Sequence, residues 1–210
     1  SSGRLSNLAT TPSATVIEGS ILVDLWAAID AAKTKPFGFA AFYPGPGVGG
    51  HCIPIDPNYL SHQVRALGYQ FRFVELAQEI SGRMPAYVVS RIQDLLNSRE
   101  KAVKGSRVLL LGLTYKPDIS DDRETPARDV VRHLRRLGAT VIGCDPHVTS
   151  FEVDGEAVRM AEFGRPSLQA CDVAVLLQPH RAFDLDLIAD AAPAVFDTRG
   201  RMSGSNVEVL

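Results

Sequence analysis

A cysteine at the end of a glycine-rich stretch is the first candidate for chemistry. Residues 43–52 read Tyr-Pro-Gly-Pro-Gly-Val-Gly-Gly-His-Cys, and Asp56 follows four residues later. Glycines let a backbone approach a ligand closely and expose its N–H groups, which suits a phosphate or a developing oxyanion. A thiol beside such donors and beside His51 can act as a nucleophile. The alternative is a tight structural turn in which Cys52 is a small buried residue.

Two basic residues that follow apolar runs are candidate anion ligands. Lys116 lies in Gly-Leu-Thr-Tyr-Lys-Pro-Asp (112–118), and Arg199 lies in Asp-Thr-Arg-Gly (197–200). Ligands of α/β sheets bind at the carboxyl ends of strands, where Lys116 supplies a charge and Tyr115 can stack or hydrogen-bond. The first motif lacks GxGxxG, so it fits a mononucleotide better than NAD. A solvated surface lysine is the alternative.

The remaining reactive residue types give weaker indications. Arg123 lies in an acidic run (118–125) and is either a counter-ion, which the sequence alone favours, or an anion ligand. Cys144 and Cys171 fall in or beside apolar runs and are interpreted as core residues. The histidines have no metal-ligand spacing, so no metal site is predicted.

The elements that must position these residues fall into a helical part and an α/β part. Residues 36–57 contain five prolines and five glycines, which predicts a shaped loop. Apolar spacing predicts helices over 20–32 with Ser20 as cap, over 57–67 with Asp56 as cap and Pro57 in the first turn, and over 73–98, where Pro85 either starts a fresh helix or kinks a long one. Strands at 107–112, 140–145, 172–178 and 193–197, alternating with helices at 126–138 and 184–191, predict a parallel sheet.

Composition bounds the class of protein. The 210 residues carry a net charge of −2 and three cysteines without a CxxC pair. These features argue against a nucleic-acid surface, a membrane partner or a secreted disulfide framework, and favour a cytoplasmic protein. We divide the chain into a disordered lead-in (1–19), a helical region carrying the cysteine loop (20–100) and an α/β domain (101–210).

Together the motifs resemble the UDP-glucose/GDP-mannose dehydrogenase family over about residues 20–200. Residues 37–57 are similar to the cysteine loop of the branch acting on UDP-N-acetylhexosamines, because His51 and the ending Ile-Asp-Pro replace features usual in the UDP-glucose branch. Residues 111–127 resemble the start of the family's UDP-binding domain, and residues 197–199 resemble its closing substrate motif. The resemblance implies an α/β fold in which a helical central segment precedes a Rossmann-like, parallel-sheet UDP-binding domain.

The resemblance also implies a mechanism for polysaccharide biosynthesis. A C6 alcohol of a UDP-sugar would be oxidised twice with NAD, while Cys52 holds first a thiohemiacetal and then a thioester. Asp56 would orient the hydrolytic water, cap a helix, or do both. Arg123 and Cys52 would face the cofactor, and the helical region would form a homodimer. The residues implied to bind the UDP-sugar are Tyr43, Gly45, Gly47, Val48, Gly49, Tyr115, Lys116 and Arg199.

The sequence departs from the family pattern in ways that bear on activity. Its one GxGxxG match, residues 45–50, lies in the proline-rich loop and not after a predicted strand, as a dinucleotide-binding motif would. Ser81 stands where the family usually has asparagine, and the residues before position 20 do not match the family's lysine and asparagine helix. Two α/β domains with helices would need roughly twice this length. The sequence therefore predicts the carboxy-terminal half of such an enzyme. The alternatives are a UDP-sugar-binding or dimerisation module and an inactive remnant.

Overall fold

The computed structural model describes residues 24–210, so the predicted lead-in and the Ser20 cap lie outside the described residues. The helices are α1 (Leu25–Lys33), α2 (Cys52–Ala66), α3 (Arg72–Asn97), α4 (Pro126–Arg136), α5 (Arg165–Gln169) and α6 (Leu185–Ala191). The strands are β1 (Arg107–Leu111), β2 (Thr140–Cys144), β3 (Phe151–Val153), β4 (Glu156–Met160), β5 (Val173–Leu176), β6 (Val195–Asp197) and β7 (Val207–Val209).

The strands form one sheet in the order β3-β4-β2-β1-β5-β6-β7. Every neighbouring pair is parallel except β3 and β4, which are antiparallel. The prediction of an α/β fold with a parallel sheet is confirmed, with the antiparallel pair β3 and β4 as an addition at one edge. The order of the chain reverses between β1 and β5, and in open α/β sheets such a reversal opens a crevice at the carboxyl ends of the strands.

The central strand β1 explains how the sheet is covered on both faces. Side chains alternate along a strand, so Val108 and Leu110 pack into one apolar cluster while Leu109 and Leu111 pack into another. Helices α3 and α4 contribute to the first cluster, and α5 and α6 contribute to the second. Burial on both faces is why this strand is a continuous apolar run.

The prediction that Asp56 caps a helix is wrong, because α2 begins at Cys52 and Pro57 lies inside it. The first turn of a helix has N–H groups without intrahelical partners, and it therefore accommodates Pro54. The side-chain amide of Asn58, through Nδ2, donates to the carbonyl oxygen of Pro54 at 3.0 Å. The shaped loop therefore ends at His51, six residues before the end of the predicted loop at residue 57.

Helix α3 is continuous, which decides between the two interpretations of Pro85. It runs from Arg72 to Asn97 with Pro85 buried in its interior. Proline has no N–H to offer the carbonyl of Ser81. That carbonyl lies against the cysteine loop, since a side chain at Gly47 would place its Cβ 3.4 Å from the Ser81 oxygen.

Four short elements were not predicted, namely β3, β4, β7 and α5. The hairpin of β3 and β4 had a signal, because Asp154-Gly155 connects the strands with φ of 55° and 81°. Asp-Gly is a favoured two-residue hairpin connection for that reason. The division of the chain between residues 100 and 101 stays a prediction. Across it, the buried half of α3 packs against α4. Within residues 24–210, no helix combines the length and apolarity needed to cross a bilayer.

Candidate functional site

The glycines of the cysteine loop lie against the α/β part of the chain. We define the cysteine loop as residues 43–52. A Cβ at Gly49 would lie 2.6 Å from the backbone oxygen of Glu124, and one at Gly50 would lie 2.7 Å from the ring of Tyr115. A Cβ at Gly45 would lie 2.8 Å from Nη1 of Arg199. Close approach between two segments thus requires these glycines, in addition to any role towards a ligand.

Side chains of α1 hold the aromatic end of the cysteine loop. The Tyr43 hydroxyl donates to Asp30 Oδ1 at 2.6 Å and accepts from Lys33 Nζ at 3.3 Å. Its ring stacks on Trp26 with centroids 5.8 Å apart. The indole N–H of Trp26 in turn donates to the backbone oxygen of Leu210 at 3.1 Å. The α1 helix therefore links the loop to the carboxy-terminal strand region.

The middle of the cysteine loop is tied to α3. The Val48 N–H donates to Ser81 Oγ at 3.1 Å, so this N–H already has a partner within the chain. Gly47, Val48 and Ser81 belong to the walls of two cavities, one of about 1100 Å³ and one of about 600 Å³. The loop and Ser81 therefore form a partition between the two cavities.

The larger cavity brings together part of the predicted substrate set. It is lined by Tyr43, Gly45, Gly47, Val48 and Arg199 together with residues of α3. The other predicted residues, Gly49, Tyr115, Lys116, Arg123, Cys52 and Asp56, are not in its lining.

Arg199 is one of two basic residues that line this cavity, the other being Arg91. Its Nε donates to the backbone oxygen of Leu177 at 2.7 Å, which aims the guanidinium at the cysteine loop. Burial lowers the pKa of Arg199 to about 10, with Asp197 acting in the opposite direction, so the side chain stays charged near neutral pH. A fixed charged fork of this kind suits phosphate oxygens.

Asp197 shapes the turn that carries Arg199. Its carboxylate is fully buried and accepts the backbone N–H groups of Arg199, Arg201 and Met202 at 2.7, 2.5 and 2.7 Å. Burial raises the pKa of Asp197, and the hydrogen bonds act against that effect. The motif Asp-Thr-Arg therefore positions a cation through a buried carboxylate.

Cys52 and Asp56 lie one turn apart at the start of α2, and both are exposed. Residues four apart share a face of a helix, so the thiol and the carboxylate point to the same side. The alternative in which Cys52 is a buried small residue is wrong. The positive end of the helix dipole favours a negative charge at this position.

The Lys116 side chain is exposed, but buried side chains form hydrogen bonds with the backbone on both sides of it. Gln178 Nε2 donates to the Tyr115 oxygen at 2.7 Å, and His180 Nδ1 accepts the Asp118 N–H at 2.9 Å. Both residues follow β5, across the crevice where the strand order reverses. Neither residue was predicted from the sequence, although each follows an apolar strand as Lys116 does.

Arg123 pairs with its neighbour Asp121 through Nε at 2.9 Å and Nη2 at 2.8 Å. This guanidinium lowers the pKa of Asp121 to about 2. This geometry fits the interpretation of Arg123 as a counter-ion. Its role towards a cofactor stays a prediction.

One group among the described residues has the spacing of metal ligands: Asp118, His147 and His180 offer ligand atoms within 4.8 Å of one another. The donor set does not fit a metal ion. His180 Nδ1 already accepts the N–H of Asp118, and its Nε2 lies 3.1 Å from Asp145 Oδ2. Arg181 also donates to the Asp118 carboxylate, which places a cation where the metal would be.

Comparison with known protein families finds two matches along the chain, and both are to domains of one family. The model for the central domain of the UDP-glucose/GDP-mannose dehydrogenase family matches residues 7–82, and the model for its UDP binding domain matches residues 109–203.

Curated relatives agree with these matches. The chain is similar to a UDP-N-acetyl-D-glucosamine 6-dehydrogenase of Pseudomonas aeruginosa, with 36% identity over 84% of this chain and 41% of the relative. It is also similar to a UDP-N-acetyl-D-mannosamine dehydrogenase of Methanococcus maripaludis, with 33% identity over 84% of this chain and 40% of the relative. The chain thus spans less than half the length of these relatives.

Solved structures share the fold. The structure of a UDP-D-ManNAc dehydrogenase from Pyrococcus horikoshii superimposes with a TM-score of 0.75 at 24% identity, over 89% of this chain and 44% of that one. A UDP-N-acetyl-mannosamine dehydrogenase from Staphylococcus aureus gives a TM-score of 0.64 at 28% identity, over 88% of this chain and 41% of that one.

Proposed function

We propose a function from the premise that this chain belongs to the UDP-glucose/GDP-mannose dehydrogenase family. The chain would supply the substrate-binding part of a UDP-sugar 6-dehydrogenase that acts on a UDP-N-acetylhexosamine for polysaccharide biosynthesis in the cytoplasm. The observation that carries the proposal is the charged guanidinium of Arg199, fixed by the Leu177 oxygen and lining a cavity of about 1100 Å³ with the cysteine loop.

The UDP group would lie between the cysteine loop and the strand ends. Arg199 and Lys116 would neutralise the diphosphate, and Tyr115 would border the nucleotide. Gly45, Gly47, Val48 and Gly49 would cradle the sugar with backbone groups. Because the Val48 N–H and the Tyr43 hydroxyl already have partners, the loop would offer ligands its remaining backbone groups.

The chemistry would take place at Cys52. NAD, when bound, would accept the hydrides of the two oxidations, and the exposed side chains of Cys52 and Arg123 are open to a cofactor. The thiol would add to the aldehyde carbonyl to form a thiohemiacetal, which oxidation converts to a thioester. Water, oriented by Asp56 on the same helix face, would release the carboxylate and return the thiol.

Lys116→Ala is expected to lower the affinity for UDP about tenfold, because a charge-assisted contact contributes roughly 1.5–3 kcal/mol. Isothermal titration of wild type and variant with UDP measures the change. Lys104→Ala is the matched control, since Lys104 is exposed and precedes the amino end of β1. Equal affinity in wild type and Lys116→Ala would count against this site.

The isolated chain is expected to form no NADH with UDP-N-acetylhexosamines. Hydride transfer needs a bound nicotinamide, and the one GxGxxG match of the sequence, residues 45–50, lies in the cysteine loop and follows no strand. Absorbance at 340 nm measures turnover, with a full-length relative as positive control. Turnover comparable with that of the relative would contradict a purely substrate-binding role for this chain.

A dimer formed through the helical region is favoured by an exposed apolar stripe on α3. Phe73, Leu76 and Ile80 lie at helical spacing and are 88, 50 and 55% exposed. We therefore propose that two copies pair through this stripe. Sedimentation equilibrium should show a dimer for wild type and a monomer for Phe73→Glu, and a wild-type monomer at micromolar concentration would exclude the pairing.

A further inference from the structure

The geometry points to His180 as a positioning residue for Lys116, an inference that rests on the proposed UDP-binding function. We define the Lys116 loop as residues 112–118. Buried side chains that follow the two strands next to β1 hold the backbone of this loop, and we propose that His180 is the central one. Its role would be to fix the conformation in which Lys116 meets the diphosphate.

The hydrogen bonds of His180 fix its tautomer. The N–H of Asp118 donates to Nδ1 at 2.9 Å, so Nδ1 carries a lone pair and the ring proton is on Nε2. Nε2 lies 3.1 Å from Asp145 Oδ2 and 3.3 Å from Thr114 Oγ1, so it can donate its proton to either oxygen. The ring is 1% exposed. His180 therefore ties the end of the loop to the carboxylate that follows β2.

The same carboxylate holds the beginning of the loop. Asp145 Oδ2 accepts the Leu113 N–H at 2.6 Å. Burial alone would raise the pKa of Asp145, but the hydrogen bonds from His180 and from backbone N–H groups hold it below its usual value. Asp145 is thus an anion under both ends of the loop, and His180 connects it to the far end.

Two further bonds lie between these ends. Gln178 Nε2 donates to the Tyr115 oxygen at 2.7 Å, and Thr114 Oγ1 donates to the Lys116 oxygen at 2.7 Å. Both donors are nearly inaccessible to solvent. The backbone on either side of the Lys116 side chain is therefore held, although that side chain reaches solvent.

The loop has a backbone conformation that needs such support. Asp118 has φ of 61° and Glu124, a few residues later, has φ of 47°, in the region that non-glycine residues rarely occupy. Gly112, at the other end, has φ of 83°, and a Cβ there would lie 2.6 Å from the oxygen of Gln178. Such conformations persist where the surroundings determine them, and they cluster at ligand sites.

A held backbone has a direct consequence for binding. A loop that is ordered before the ligand arrives loses less conformational entropy on binding, which raises affinity without a new contact. His180 would thus act on the diphosphate through Lys116 rather than by touching it. Uridine, which lacks the diphosphate, should be insensitive to His180.

The test uses two substitutions that divide the roles of the imidazole nitrogens. His180→Asn can keep an acceptor near the Nδ1 position for the Asp118 N–H, whereas His180→Gln reaches the Nε2 position and loses that acceptor. We expect His180→Gln to lower UDP affinity about fivefold to tenfold, with uridine affinity unchanged and His180→Asn close to wild type. His147→Gln is the control on the neighbouring exposed ring.

Hydrogen exchange of the unliganded chain tests the tether without UDP. In His180→Gln the amide hydrogens of residues 113–116 and 118 should exchange at least about tenfold faster, while those of β1 keep their protection. Gln178→Leu removes the Tyr115 tether and should give the same pattern if His180→Gln does not fold.

Failure of the proposed UDP-binding function and failure of the positioning role of His180 give different results. If wild type does not bind UDP, the proposed function is wrong and the positioning role falls with it. If wild type binds UDP and Lys116→Ala weakens it, but His180→Gln binds as wild type does, His180 does not position Lys116. Unchanged amide exchange of residues 113–116 and 118 in His180→Gln would overturn the tether itself.

Discussion

Asp197→Ala is expected to destabilise the chain by about 3–5 kcal/mol, the largest stability effect of the substitutions considered. The substitution removes a fully buried carboxylate and leaves the backbone N–H groups of Arg199, Arg201 and Met202 without their acceptor. An unsatisfied donor costs roughly 1–3 kcal/mol when it is buried, and because these three N–H groups are only partly buried, water would recover part of that loss. Asp197→Asn keeps one acceptor oxygen and should lose less.

Urea unfolding followed by circular dichroism measures this change in the free energy of unfolding. Asp190→Ala is the matched control, because Asp190 forms an exposed pair with Arg165 at 2.7 Å. Such surface pairs contribute up to about 1 kcal/mol. A loss for Asp197→Ala no larger than that of the control would show that its hydrogen bonds are replaced by water.

Arg199→Ala is expected to have the largest effect on binding, lowering UDP affinity about a hundredfold, or about 2.8 kcal/mol. Its guanidinium is held by the Leu177 oxygen before any ligand arrives, so little ordering of the side chain is needed on binding. The charge also lies in a mostly buried setting, where its attraction for phosphate is screened less than at the surface.

The same titration of Arg201→Ala provides the control for Arg199→Ala. Arg201 is exposed, lies two residues away, and keeps its backbone bond to Asp197 when its side chain is removed. A similar fall in both variants would indicate a general charge effect rather than a site at Arg199.

The fold was predictable where local pattern and tertiary structure agree. The run Val-Leu-Leu-Leu at 108–111 is apolar because helices cover both faces of β1, and such a run indicates a buried strand. Local pattern gave the wrong start for α2. An Asp-Pro pair looks the same in sequence whether the proline lies in the first turn of a helix, as predicted for Pro57, or inside the helix, as the structure has it. The short strand β7 had too few residues to show a period.

The site was predictable only in part, because its supports are contacts between distant residues. Lys116 and Arg199 follow strands, and that position marks candidate ligands in an α/β sheet. His180 and Asp118 are 62 residues apart, and no periodicity connects them. The close approach of Gly45 to Arg199 likewise depends on how the helical part lies on the sheet.

Titration of the wild-type chain with UDP and with uridine tests most directly our proposal that this chain holds a UDP group through its diphosphate. We predict saturable binding of UDP that weakens as salt is raised, and at least tenfold weaker binding of uridine, because Lys116 and Arg199 address the diphosphate. The absence of UDP binding, or equal affinity for UDP and uridine, would contradict the account.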